Sequence, residues 1–140
     1  MQAARGQRTK EGGMFEITVE YGFAAGHALR GYKGKCENVH GHNYKVQVTI
    51  AGEQLNPAGL LMDFVELRAA VKAVAARLDH RFLNDLPPFD QLNPSAENLA
   101  KYFWEEIDPQ ARAQGLRVEA VKVWETDTTS ATYRPQAPRT

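Results

Sequence analysis

The chain is short of the residues that would make its chemistry easy to guess. Of its 140 residues one is cysteine, Cys36, so no disulfide can form within it. A single thiol fits a reducing compartment, and the expectation is a cytoplasmic protein. Charge of one sign is also lacking: 17 Lys+Arg balance 17 Asp+Glu. Zero net charge removes any whole-molecule argument for nucleic acid or an anionic membrane, so a basic patch must be local. No apolar run approaches the roughly 20 residues of a membrane span. No stretch joins a basic head, an apolar core and a small-residue cleavage site.

What is present fits one globular domain with a single core. Hydrophobic residues make up 43% and charged residues 24%, close to the soluble average. Residues 1–13 are polar, glycine-rich and without period, and read as a disordered tail, as do 136–140. The domain is expected over 14–135.

Ile17, Val19, Tyr21 and Phe23 alternate within Phe15–Ala28, which predicts a strand. A second strand is expected from about His42, with Tyr44, Val46, Val48 and Ile50 on one face. Asp63 reads as a helix N-cap with Glu66 completing a capping box, followed by Phe64, Leu67, Val71, Val74 and Leu78 at helical spacing. Ser95 can cap a second helix carrying Leu99, Phe103 and Ile107, expected to stop before Pro109. Val118–Thr126 and Ala131–Arg134 read as closing strands. Two hairpins flanking two helices imply an α+β fold, a four-stranded antiparallel sheet with both helices on one face. Its open edges predict pairing between subunits, hence a homo-oligomer.

The chain holds four histidines: His27, His40, His42 and His80. In His40-Gly41-His42 the imidazoles stand two apart on a strand and share a face. His27 ends the preceding strand, where a hairpin partner brings it beside the pair. Three imidazoles around one ion suggest zinc with an open position, the arrangement of catalytic sites. A closed structural site with Cys36 as fourth ligand is the competing metal reading, and polar residues around a loop the plain one.

Cys36 lies near Lys33 and Lys35, and positive charge with a metal lowers a thiol's pKa. It is therefore a candidate base or nucleophile, against an inert small apolar residue. Asp79 and His80 can form an oriented acid–base pair, or His80 can merely complement a helix dipole. Glu125 follows Val121 and Val123 at period two, so it shares their buried face and needs a partner: a ligand with two parallel donors, or an internal Arg or Lys. Arg30, Lys33 and Lys35 could bind phosphates or form a solvated loop.

Phe23–His27 (FAAGH), Cys36–His42 (CENVHGH), Leu78–Asn84 (LDHRFLN), Val123–Thr126 (VWET) and Asn93–Leu99 (NPSAENL, with Ser95 where Thr is more usual) together resemble the 6-pyruvoyl-tetrahydropterin synthase family. The similarity runs from about Met14 to Pro135. Within the family it is nearest to the branch that forms 6-carboxytetrahydropterin for queuosine. The resemblance implies a tunnelling fold, or T-fold, in which three subunits close a barrel and two trimers stack as a hexamer. It implies Zn2+ on His27, His40 and His42, a catalytic Cys36, a relay pair Asp79 and His80, a pterin-anchoring Glu125 and a substrate-binding Ser95. The substrate it implies is 7,8-dihydroneopterin triphosphate, a small molecule. Glu37 supplies a second pattern, Glu-x-x-His-Gly-His, which resembles the branch that cleaves dihydroneopterin derivatives to 6-hydroxymethyldihydropterin for folate; a catalytic Glu37 belongs to that alternative. The four-residue offset from Cys36 to His40 is shorter than in the animal pyruvoyl-forming branch.

Overall fold

A computed structural model describes residues 12–31 and 38–136. Its elements run β1 (Phe15–His27), β2 (His40–Gly52), α1 (Phe64–Ala75), β3 (Arg81–Phe82), α2 (Ala96–Arg112), β4 (Arg117–Thr126) and β5 (Thr129–Tyr133). A 3₁₀ turn at Leu83–Asp85 follows β3. The fold is α+β, as the alternation and helical spacing predict. The sheet has one strand more than expected: β3 pairs parallel with Ala25 and Gly26 of β1, giving the mixed order β3-β1-β2-β4-β5. Two residues are too few to show a period, which is why this strand leaves no trace in the sequence pattern.

The antiparallel register sets which side chains share a face. Val19 pairs with Val48, Phe23 with Tyr44 and His27 with His40. Val46 and Val48 of β2 pair with Val123 and Val121 of β4. These apolar residues join Leu67, Val71, Leu99 and Phe103 of the helices in one buried cluster. Phe23 and Tyr44 stack with centroids 5.2 Å apart, and Phe103 meets Phe23 at 5.8 Å. Burying side chains of this size contributes about 1.5–3 kcal/mol each. The aromatic group lies directly beneath the histidine end of the sheet, so the core is also the floor of the site.

Both helix caps form, with differences of detail. Asp63 accepts from the Val65 N–H, a contact worth about 1 kcal/mol. Glu66 does not close the box; its carboxylate accepts from Gln114 instead. Helix α1 ends at Ala75, and Leu78 is buried in the turn beyond it. Ser95 caps α2, which continues through Pro109 to Arg112 instead of stopping before the proline. A proline removes one N–H, and the carbonyl four residues back belongs to the exposed Glu105. Tertiary anchoring outweighs that loss. Asp108, only 5% exposed, accepts from the Val118 N–H at 2.9 Å and from Arg112 Nε at 2.7 Å. The expected tails fall largely on 1–11 and 137–140, outside the described residues. No helix among the described residues is long and apolar enough to cross a membrane.

Replacing Asp108 by alanine leaves a buried N–H unpaired at the junction of α2 and β4. Asp108→Ala is expected to lower unfolding free energy by about 1–3 kcal/mol. A denaturant midpoint equal to that of the parent protein would refute this account of the junction.

Candidate metal centre

His27 closes β1, His40 opens β2, and the two are register partners; His42 stands opposite Ala25. All three rings therefore project from the core-facing side of the sheet. One ring nitrogen from each lies within 4.8 Å of the others. His27 is buried, His42 half-buried and His40 exposed, so the cluster reaches from the core to the surface.

The hydrogen bonds of the rings decide what those nitrogens offer. His27 Nδ1 is 2.7 Å from the carbonyl oxygen of Pro94, and His40 Nδ1 is 2.9 Å from that of Asn38. A carbonyl only accepts, so both Nδ1 atoms carry the proton in the neutral rings and both Nε2 atoms present lone pairs. Those two Nε2 atoms face each other at 3.0 Å. His42 Nε2 is buried without a hydrogen-bond partner among the described residues. An unpaired buried polar atom costs about 1–3 kcal/mol, and opposed lone pairs add to that. A cation accepting all three removes both penalties. Three imidazoles so placed could hold a metal ion.

The electrostatics are consistent with neutral ligands. Burial is the main reason His27 binds a proton less readily than an ordinary imidazole. The Pro94 hydrogen bond and the charge of Glu125 oppose that effect, and the neighbouring His40 and His42 reinforce it. Glu125 lies 3.9 Å from His27 Nε2 and 3.9 Å from His42 Nε2. Its charge favours any cation held between the rings. A slip in the β4–β5 ladder between Trp124 and Thr126 leaves Glu125 as the extra residue, which aims its side chain at the histidines. Tyr44 packs under the cluster with its hydroxyl oxygen 3.1 Å from His27 Nδ1. Burial, aided by Glu125, raises its phenol pKa well above the ordinary value, so it stays protonated.

Asp79 and His80 are adjacent in sequence and do touch: His80 Nδ1 is 3.0 Å from Asp79 Oδ1. The same carboxylate accepts from the Ala24 N–H at 2.9 Å, and the His80 N–H donates to the Ala24 carbonyl at 2.6 Å. This exchange holds His80 at φ 60°, a left-handed conformation that costs a non-glycine residue about 1–2 kcal/mol. The imidazole projects outward, 82% exposed. A cleft of about 650 Å³ lies between His80, Phe82, Gly26, Gly41 and His42. That size suits a small-molecule ligand.

The remaining site residues predicted from sequence are distributed as follows. Cys36 and Glu37 lie outside the described residues, as do Lys33 and Lys35. Ser95 Oγ accepts from the Asn98 N–H at 3.1 Å, so its oxygen serves as a helix cap. The Arg30 guanidinium donates to the carbonyls of Phe89 at 2.6 Å and Asn84 at 3.4 Å. The neighbours of Glu125 are the imidazoles of His27 and His42, not the internal Arg or Lys that was the alternative to a ligand with two parallel donors. Sequence reasoning missed the Pro94 and Asn38 carbonyls and Tyr44. Only Tyr44 carried a signal, standing two residues after His42 on the same strand face.

Comparison with known proteins agrees with this geometry. A family profile described as 6-pyruvoyl tetrahydropterin synthase matches residues 16–136. The 6-carboxy-5,6,7,8-tetrahydropterin synthase of Aquifex aeolicus is 30% identical over 87% of this chain and 99% of its own. The 6-pyruvoyl tetrahydrobiopterin synthase of Drosophila melanogaster is 38% identical over 75% of this chain and 64% of its own. Among solved structures, the 6-pyruvoyl tetrahydropterin synthase of Caenorhabditis elegans superposes with a TM-score of 0.78 at 27% identity, covering 94% of this chain and 99% of that one. The fold is the T-fold of those proteins.

The lowered proton affinity of His27 has a measurable sign. Below the ordinary imidazole value of 6.5 the unfolded chain binds a proton that the folded chain resists. Stability of the metal-free protein is thus full above that pH and falls as pH drops through the lowered folded value. His27→Asn, whose amide can still donate to Pro94, should flatten this decline. A thermal midpoint with the same acid dependence in both proteins would contradict it.

Proposed function

Since the chain belongs to the 6-pyruvoyl tetrahydropterin synthase family, we propose that it converts 7,8-dihydroneopterin triphosphate to 6-carboxy-5,6,7,8-tetrahydropterin, releasing acetaldehyde and triphosphate, on the route to queuosine. The protein is a pterin synthase, an enzyme of the lyase type. The observation that carries the reading is the trio of imidazoles, with the Nε2 atoms of His27 and His40 face to face, beside a cleft of substrate size. The relatives named for the 6-carboxy product support it.

His27, His40 and His42 would hold zinc, which would supply Lewis acidity that makes side-chain hydroxyls of the substrate more acidic. Cys36, as thiolate, removes a proton from the substrate side chain. Asp79 holds the His80 ring through Nδ1, which leaves Nε2 to give or take a proton in the cleft. Glu125 accepts the two parallel N–H groups of the aminopyrimidinone edge, a charge-assisted pair. The hydroxyl hydrogen of Ser95, which capping leaves free, serves substrate binding.

The catalytic domain spans 14–135 and works as a cytoplasmic homo-oligomer, a dimer of trimers. Its edges support this. Among the described residues, strand β5 pairs only with β4, and β1 has a neighbour on its outer side only at Ala25 and Gly26, leaving backbone rows for other copies. A second reading rests on Glu37 of Glu-x-x-His-Gly-His: cleavage to 6-hydroxymethyldihydropterin for folate. The Drosophila relative keeps 6-pyruvoyl formation as a third.

Product identification by mass spectrometry separates them. Zinc-loaded protein given 7,8-dihydroneopterin triphosphate should yield 6-carboxytetrahydropterin and acetaldehyde, and Cys36→Ala should lower the rate by about 100-fold or more. A 6-hydroxymethyl product that only Glu37→Ala abolishes would establish the folate reaction instead. No turnover of any of these pterins would defeat the enzymatic assignment of the site.

A further inference from the structure

Beyond His27 the chain leaves the sheet, yet two side chains treat it as though it were still paired. Asn84 donates through Nδ2 to the Ala28 carbonyl at 2.7 Å and accepts at Oδ1 from the Ala28 N–H at 2.9 Å. Asn93 does the same two residues on, donating to the Arg30 carbonyl at 3.0 Å and accepting from the Arg30 N–H at 2.9 Å. Each carboxamide reproduces the donor and acceptor of a strand neighbour. They take over where β3 stops, since β3 covers β1 only at Ala25 and Gly26. Asn93 is itself tied to α2, its carbonyl accepting from Asn98 Nδ2 at 2.8 Å. The residue after Asn93 is Pro94, whose carbonyl receives the His27 Nδ1 proton.

We infer that Asn84 and Asn93 are positioning residues for the metal centre, two carboxamides that clamp the end of β1 to the 83–94 connection and so fix the His27 ring. The inference rests on reading His27, His40 and His42 as a metal site. The clamp ties together the backbone that carries His27 and the carbonyl that selects its tautomer. Relative motion of the two would turn Nε2 away from His40. The neutral amide is what matters. Aspartate keeps the accepting oxygen but sets a second oxygen against the Ala28 or Arg30 carbonyl. Asn56 offers the contrast, because only its Oδ1 is used, accepting from the N–H groups of Ala58 and Leu60 at 2.9 and 3.1 Å.

The experiment compares the full chain with Asn84→Asp, Asn93→Asp and, as a control, Asn56→Asp. Zn2+ affinity is measured by competition with a chromophoric chelator, and the visible spectrum of the Co2+ form is recorded. Both clamp variants should bind Zn2+ about 10-fold or more weakly with an altered Co2+ spectrum, while Asn56→Asp matches wild type. A purely structural role would lower the melting temperature of the metal-free protein without moving either metal readout. Unchanged affinity in both folded clamp variants overturns the inference. If a clamp variant fails to fold, Asn84→Ser and Asn93→Ser, which lose the paired contact without adding a charge, replace it. They should weaken Zn2+ in the same direction, and wild-type affinity there counts against the clamp. Wild-type protein that takes up no Zn2+ defeats the underlying metal reading, a result visible before any variant is compared.

Discussion

Two unprotonated imidazole nitrogens held 3.0 Å apart are the constraint on which the rest of this site depends. Neither can donate, because each ring has already committed its proton to a backbone carbonyl. Left alone, the pair is repulsive, and His42 Nε2 beside it is desolvated and unpaired. A folded protein keeps such an arrangement only when the surrounding structure imposes it or a cation resolves it. Here the strand register, the aromatic floor of Phe23, Tyr44 and Phe103, and the two carbonyls impose it together. The cost falls on the metal-free chain.

The same register explains how much of this could be read from residue order alone. Period-two alternation put His40 and His42 on one face, and a hairpin brings the end of β1 to the start of β2, so His27 had to lie near them. Glu125 was placed on the correct face by Val121 and Val123. What escaped was long-range. The Pro94 carbonyl is 67 residues from His27 in sequence, and nothing local marks it as a hydrogen-bond acceptor for a ligand. The expected stop before Pro109 failed for a related reason. The local rule is sound, but Asp108 holds the last turn of α2 through an N–H of β4 that the rule does not see. Strand β3 was invisible because its pairing comes from the chain reversal at His80, not from its own two residues.

That reversal links the two halves of the site. Asp79 touches both the Ala24 backbone and the His80 ring. The left-handed turn therefore cannot relax without disturbing β1 three residues before His27. Strain at His80 is offset by hydrogen bonds to β1, the adjacent strand whose Ala24–Gly26 also line the cleft. The Asp79–His80 pair and the histidine cluster are in this sense one unit.

The ladder slip at Glu125 has a consequence of another kind. An ordinary hairpin couples the length of its turn to the facing of every residue in its strands, so adding a residue at the tip turns the whole pattern inside out. Because the irregularity lies between Trp124 and Thr126, the segment beyond it is out of step with the segment before it. Glu125 thus stands outside the paired ladder, and its heading toward the histidines is set at the slip, one residue before the Thr126–Thr129 pair that closes the hairpin.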